Sequence, residues 1–237
     1  MFENSDKGML LLREVQPSLR LYSYMHLDKF KVICDDRRLT LRRPEGWTDP
    51  HEKWWCDQLF RAGGPLRAAN AYAFCWTTRT TDEPFWRLYS CWCGPGHPDP
   101  QPAVRVSTTV GKLMDVMQQA VAPAPAKVFI GRVHYRSGKA LGRVASTLRA
   151  GKGVASEVAS GLHLKRTAFR FESEVRALWV DNLVRREETY VSIDPAKFID
   201  QVMVGPTNHL HLLEAVKCEV ARRKFDPEES SIYKTPK

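Results

Sequence analysis

The sequence predicts an α+β fold in a single domain, with a mixed central sheet and flanking helices. Three observations point there. Runs that alternate apolar and polar residues, or that are rich in aromatic and β-branched ones, recur at residues 19–24, 71–77, 103–108 and 177–180 and read as strands. Between them, apolar residues stand at helical spacing, as in Leu27, Phe30 and Ile33, or Leu212, Leu213, Val216 and Val220. No repeat, low-complexity tract or linker divides the 237 residues, which suffice for one substantial core. The domain is expected over residues 18–226, with 1–17 as a poorly ordered N-terminal extension and 227–237 as a flexible tail.

Taken in order, the extension is polar and then briefly apolar, from Met9 to Leu12. The first strand, 19–24, places Arg20, Tyr22 and Tyr24 on one face. A helix through Leu27, Phe30, Ile33 and Cys34 follows, then a short strand at 39–41 and a loop at 44–50. Asp49 and Pro50 suit the cap and first turn of a helix over 51–62, where Glu52 favours the dipole. Residues 71–77 alternate small and aromatic side chains and end in the hydroxyls of Thr77 and Thr78. Asp82 is placed to cap a short helix carrying Phe85, Trp86, Leu88 and Tyr89.

Cys91, Cys93 and His97 lack the two-residue gap of zinc knuckles and read as a Gly- and Pro-rich loop. Beyond it come a strand at 103–108, a helix at 111–121, a longer strand at 127–135 and a broken helical stretch at 138–164. After the apolar run 177–180 the chain predicts a polar turn at 181–188, strands at 189–193 and 198–204, and a last helix over 210–224. His209 and His211 are two residues apart, so they do not share a helical face and read as surface residues.

Composition narrows the function classes. Lys and Arg number 36 against 27 Asp and Glu, a net charge of +9 with a pI near 9.3, so the surface attracts polyanions, nucleic acid foremost. No apolar stretch reaches the length of a membrane helix and the N-terminus lacks a signal-peptide core, which points to a cytoplasmic protein with its six cysteines reduced.

The chain is organised around Glu172-Ser173-Glu174-Val175-Arg176 at the mouth of the apolar run 177–180. If the stretch is a strand, Glu172, Glu174 and Arg176 share one face. A carboxylate beside an arginine at the entrance to a core is either a solvated strand end or a site that holds the carboxylate ionised and aimed at a ligand. Lys165, Arg166 and Arg170 crowd just ahead of it and would steer an anionic ligand inward.

Several stretches together resemble the domain-of-unknown-function 2971 family. They are Leu21-Tyr22-Ser23-Tyr24, Trp47-Thr48-Asp49-Pro50-His51-Glu52, Phe74-Cys75-Trp76-Thr77, Phe85-Trp86-Arg87-Leu88-Tyr89-Ser90, Phe171-Glu172-Ser173-Glu174-Val175-Arg176 and Met203-Val204-Gly205-Pro206. Members usually carry asparagine where Thr48 stands. A tyrosine-bearing first strand, a helix, a short strand, an aromatic strand ending in hydroxyls and a late strand entered by Glu-x-Glu is also similar to the order in ADP-ribosyltransferases, especially the toxins that modify DNA bases.

That resemblance implies a sheet split in two halves and an enzyme that cleaves NAD and modifies a nucleic acid or protein target. It also implies a setting of bacterial conflict, as a toxin or phage-defence effector with a neutralising partner protein. Glu174 would stabilise the oxocarbenium-like state of NAD cleavage and Glu172 would take a proton from, or position, the acceptor. Tyr22, Tyr24, Trp86 or Tyr89 would sandwich the nicotinamide, Thr77 would bond its carboxamide, and Arg20 or Arg176 would hold the pyrophosphate. Asp49, Glu52, Lys165 and Arg166 would contact the substrate.

Two other readings stand beside it. Asp49, Glu52, Glu172 and Glu174 could gather around Mg²⁺ for phosphodiester cleavage. Alternatively the chain is a non-catalytic module that binds nucleotide or nucleic acid by stacking and positive charge.

Overall fold

A computed structural model describes residues 10–47, 49–60, 70–80, 83–89, 102–149, 155–183, 185–207 and 209–232. Thr48, the Asp82 cap and the Cys91, Cys93 and His97 loop lie outside them. The elements run in the order β1 (Leu10–Arg13), β2 (Arg20–His26), α1 (Leu27–Asp35), β3 (Arg38–Arg42), α2 (Pro50–Phe60), β4 (Asn70–Thr77), α3 (Glu83–Tyr89), β5 (Ala103–Thr109), α4 (Val110–Val121), β6 (Ala126–Arg132) and β7 (His134–Arg136). They continue as α5 (Gly138–Arg149), α6 (Ala155–Leu162), β8 (Leu164–Arg166), β9 (Glu174–Asp181), β10 (Glu188–Ser192), α7 (Pro195–Phe198), β11 (Gln201–Val204), α8 (Leu210–Arg222) and β12 (Pro227–Glu229). Short 3₁₀ turns occupy Pro44–Gly46 and Thr167–Glu172.

Ten strands make one mixed, mostly antiparallel sheet in the order β1-β6-β9-β4-β2-β5-β11-β12, with β3 and β10 attached beside β4. β4 pairs along its whole length with β9. Its other edge is shared, because Thr77 faces Tyr22 of β2 while Ala73 faces Arg42 of β3. The sheet therefore forks at β4, one branch continuing through β2 and β5 and the other through β3 and β10. β7 and β8 form a small parallel pair apart from it.

Directly paired residues point to the same face, so register divides β4 and β9 into two sets. Tyr72, Phe74, Trp76, Val175, Ala177 and Trp179 face α1, α4 and α8 and join Phe30, Leu113, Met117 and Val216 in the larger core. Ala71, Ala73, Leu178 and Val180 face the other way, onto Cys56 of α2, Leu141 of α5 and Val158 and Leu162 of α6. Small residues on β4 at this face let the helices approach closely. The helix periodicities read from sequence are those of the cores: Leu27, Phe30 and Ile33 of α1 are buried, as are Leu113 and Met117 of α4. Among the described residues no helix is long and apolar enough to cross a membrane.

The structure corrects several boundaries. Leu10–Arg13, expected to be poorly ordered, is an edge strand paired in parallel with β6. The tail contributes β12, in parallel with β11. Both pairings draw on backbone groups alone, so polar or short runs suffice and side-chain pattern gives little warning. The expected strand 127–135 breaks at Val133: its amide still donates to the carbonyl of Glu174, the next residue in register on β9, at 2.9 Å, but the His134 amide turns to the His163 carbonyl at 2.7 Å and the chain pairs with β8 instead. The expected strand 198–204 begins only at Gln201, because Phe198 ends the helix α7. β9 runs on to Asp181, which is not a turn residue but a buried carboxylate receiving Trp179 Nε1, Leu183 N and Arg186 Nη2 at 2.9, 3.1 and 3.0 Å and Asn70 Nδ2 at 3.2 Å.

Candidate active site

Glu174 is the first residue of β9 and lies opposite Thr77 of β4, which in turn lies opposite Tyr22 of β2. The three side chains therefore occupy neighbouring positions on one face of three adjacent strands. Glu174 is only 6 % exposed and Arg176, two residues on and on the same face, 1 %. Arg176 clamps the carboxylate with Nε at 2.7 Å from Oε1 and Nη2 at 3.0 Å from Oε2. It also bonds Glu52 of α2 and the Leu162 carbonyl at 2.7 Å, and the Trp47 ring covers it at 4.3 Å.

Lys165 of β8 is the second cation. Its Nζ lies 2.6 Å from Glu172 Oε2, 3.3 Å from Glu174 Oε2 and 3.4 Å from Glu52 Oε2. Two buried cations and three buried carboxylates thus close on one another under α2 and β8. Burial alone would push the Glu174 carboxyl up, but Arg176, Lys165 and the Cys75 thiol outweigh it and hold it well below the ordinary carboxylate value. Burial likewise disfavours the Lys165 ammonium, and the facing carboxylates, Glu174 first, raise its pKa well above the usual lysine value all the same. Glu174 is consequently a fixed negative charge and not a proton carrier.

Glu172 reaches this cluster by a route that strand alternation does not describe. It ends the 3₁₀ turn Thr167–Glu172, and Ser173, in the left-handed region at φ 45°, separates it from β9. Thr77 holds the turn in place: its Oγ1 donates to the Glu172 carbonyl at 2.6 Å and accepts from Arg79 N at 3.0 Å. The Thr77 hydroxyl is therefore committed to backbone groups, not presented to a carboxamide.

Other expected site residues are placed differently too. Tyr24 stacks on Phe85 at 5.2 Å and meets Trp86 edge-on at 4.8 Å. With Trp86 fully buried, these rings fill one another's faces and do not form a sandwich for a free ring. Tyr22 lies under the Arg105 guanidinium at 4.8 Å. Arg176 is consumed by its carboxylates and offers nothing to a pyrophosphate, while Arg20, at the start of β2, is exposed. Tyr89 ends α3, and its side chain lies outside the described part of the structure. Asp49 turns to Arg166 at 3.3 Å. The point where Glu52, Glu172 and Glu174 converge, expected to suit Mg²⁺ together with Asp49, is occupied by the Lys165 ammonium.

Three contributors were not legible in the sequence. Cys75, opposite Arg176 in register, is exposed although Phe74, Trp76 and Thr77 beside it are buried. Enclosing protein, and then the Glu174 carboxylate, hold its thiol well above the usual value, so it stays protonated and donates to Glu174. Tyr135 of β7 accepts from Glu174 N at 2.9 Å, and Trp47 roofs Arg176. No pattern of spacing singles these residues out, since each arrives from a different element. No protein-family model, no curated protein and no solved structure matches the chain.

Proposed function

We propose that the chain is an ADP-ribosyltransferase-like enzyme of the domain-of-unknown-function 2971 type, which cleaves NAD and transfers ADP-ribose to a nucleic acid as a toxin or phage-defence effector. One observation carries the reading: solvent reaches the sheet at Cys75, directly beside a carboxylate that two cations keep ionised. Cleavage of the nicotinamide–ribose bond develops positive charge on the sugar. A preorganised, largely buried negative charge stabilises that state without reorganising, which is the role of Glu174. Glu172, tied to the same ammonium, is assigned the positioning of the acceptor in this reading.

A nucleic-acid acceptor is supported by the rim. Lys165 and Arg166 lie over the Phe169 ring at 4.8 and 5.1 Å, Phe171 is 40 % exposed, and Arg136 and Arg170 are exposed nearby. An exposed aromatic set among cations is a surface on which an unpaired base stacks while its phosphates are neutralised. The test is incubation with NAD, with and without DNA or RNA, followed by assay of free nicotinamide. Nicotinamide release by the wild type and its loss in Glu174→Gln, with the fold checked by circular dichroism, are the expected outcomes. Equal release by both proteins, or release by neither, overturns the reading. A rise in melting temperature with NAD but no turnover would leave a binding module.

A further inference from the structure

Arg105 stands in the middle of β5 and is 3 % exposed. Its guanidinium donates to the Thr80 carbonyl and to Gln201 Oε1, the latter at 2.9 Å, and stacks on Tyr22. Both acceptors are neutral, and among the described residues no carboxylate pairs with it. Among the described residues its Nε has no partner, and neither does the Oγ of Ser107, two residues on, on the same face and fully buried. Arg176, equally buried, is met by two carboxylates. A guanidinium keeps its charge when buried, so leaving one without a counter-charge is costly unless something else supplies it.

We infer that Arg105 and Ser107 form a subsite for the phosphate groups of a nucleotide. A guanidinium offers a planar fork of donors that fits phosphate oxygens, and stacking on Tyr22 fixes its plane. The serine hydroxyl adds a neutral donor beside it. Register puts the subsite on the face that carries Glu174, since Ser107 faces Tyr22, Tyr22 faces Thr77 and Thr77 faces Glu174. Three strand spacings separate the ends of that row, about 14 Å. The acceptor that a phosphate oxygen displaces is the carbonyl of Thr80, an exposed residue. The assignment moves anion binding from Arg176 to Arg105. Its nucleotide identity rests on the proposed NAD chemistry, whereas its anion specificity does not.

Calorimetry on the full chain with inorganic pyrophosphate, ADP-ribose and adenosine tests it. Pyrophosphate and ADP-ribose are expected to bind and adenosine not. Arg105→Met should weaken both at least tenfold, Arg105→Lys less, and Ser107→Ala severalfold with an unchanged circular dichroism spectrum. Absence of pyrophosphate binding by the wild type, or equal binding by the variants, overturns the subsite. If Arg105→Met does not fold, Arg105→Lys and Ser107→Ala decide, and wild-type affinity in both counts against it. Arg105-dependent pyrophosphate binding without nicotinamide release would sink NAD cleavage and leave the subsite standing. Nicotinamide release without pyrophosphate binding would do the reverse.

Discussion

Lys165 Nζ sits 2.6 Å from Glu172 Oε2, at the point where two further carboxylates also converge. The ammonium takes the place a metal ion would hold in a carboxylate cage, and it makes the cluster self-contained. Removing it exposes Glu52, Glu172 and Glu174 to one another with Arg176 alone to balance them. Lys165→Met is expected to cost about 3–5 kcal/mol, the usual penalty for leaving a buried charge unpaired. Adding Glu172→Gln should recover part of that loss, because the pair is then removed together. Urea unfolding of the single and double variants measures both.

The same cluster sets the pH range of stability. The folded Glu174 carboxyl lies well below the roughly 4.3 of an unfolded glutamate, so its contribution is present above that value. It is lost as pH falls through the folded one. Lys165, raised above the roughly 10.4 of an unfolded lysine, contributes below that value and loses the contribution as pH rises through its folded pKa. Stability is expected to decline progressively below about pH 5, and Glu174→Gln should flatten that acid limb. Denaturation midpoints between pH 3 and pH 7 are the measurement.

Thiol chemistry maps solvent access beside Glu174. Cys75 and Cys218 are exposed, whereas Cys56 is buried. Burial raises the pKa of Cys34 to about 11. Maleimide at mildly alkaline pH should label Cys218 readily and Cys75 measurably but slowly, because its thiol is held protonated, and should leave Cys56 unlabelled in the native protein. Peptide mass spectrometry resolves the sites. Protection of Cys75 equal to that of Cys56 would mean that solvent does not reach the sheet beside Glu174.

Ser173 offers a backbone test. Its φ of 45° turns Glu172 out of the strand and into the cluster. A β-branched residue is strained there, so Ser173→Val should destabilise by about 1–2 kcal/mol. Ser173→Gly relieves the strain at the expense of unfolded-state entropy and should stay within about 1 kcal/mol of the wild type. Thermal unfolding compares the three proteins.

Much of the fold was legible because its helices carry one apolar stripe and its central strands are uniformly apolar or alternate. Phe30 and Ile33, Leu113 and Met117, and the run 177–180 all sit in the cores their spacing implied. The edges were not legible. β1 and β12 owe their pairing to backbone groups whose partners lie more than twenty residues away in sequence, and the strand through Val133 breaks because His134 turns from β9 to pair with β8. Within the site, the grouping of Glu174 with Arg176 followed from period two. The meeting of Glu172 with Lys165 did not, since it depends on a left-handed residue and a 3₁₀ turn.

By itself the chain determined a basic α+β domain centred on an acidic pair next to an arginine, because periodicity and charge are local properties. Tertiary structure alone decided which charges compensate which. It gave Arg176 to Glu174 and Glu52, filled the carboxylate cage with Lys165, and buried Arg105 against acceptors that are neutral among the described residues. The reason is physical: a charge in a low-dielectric interior is defined by its nearest neighbours, and these arrive from α2, β8 and β9, segments that only the folded sheet brings within a few ångströms.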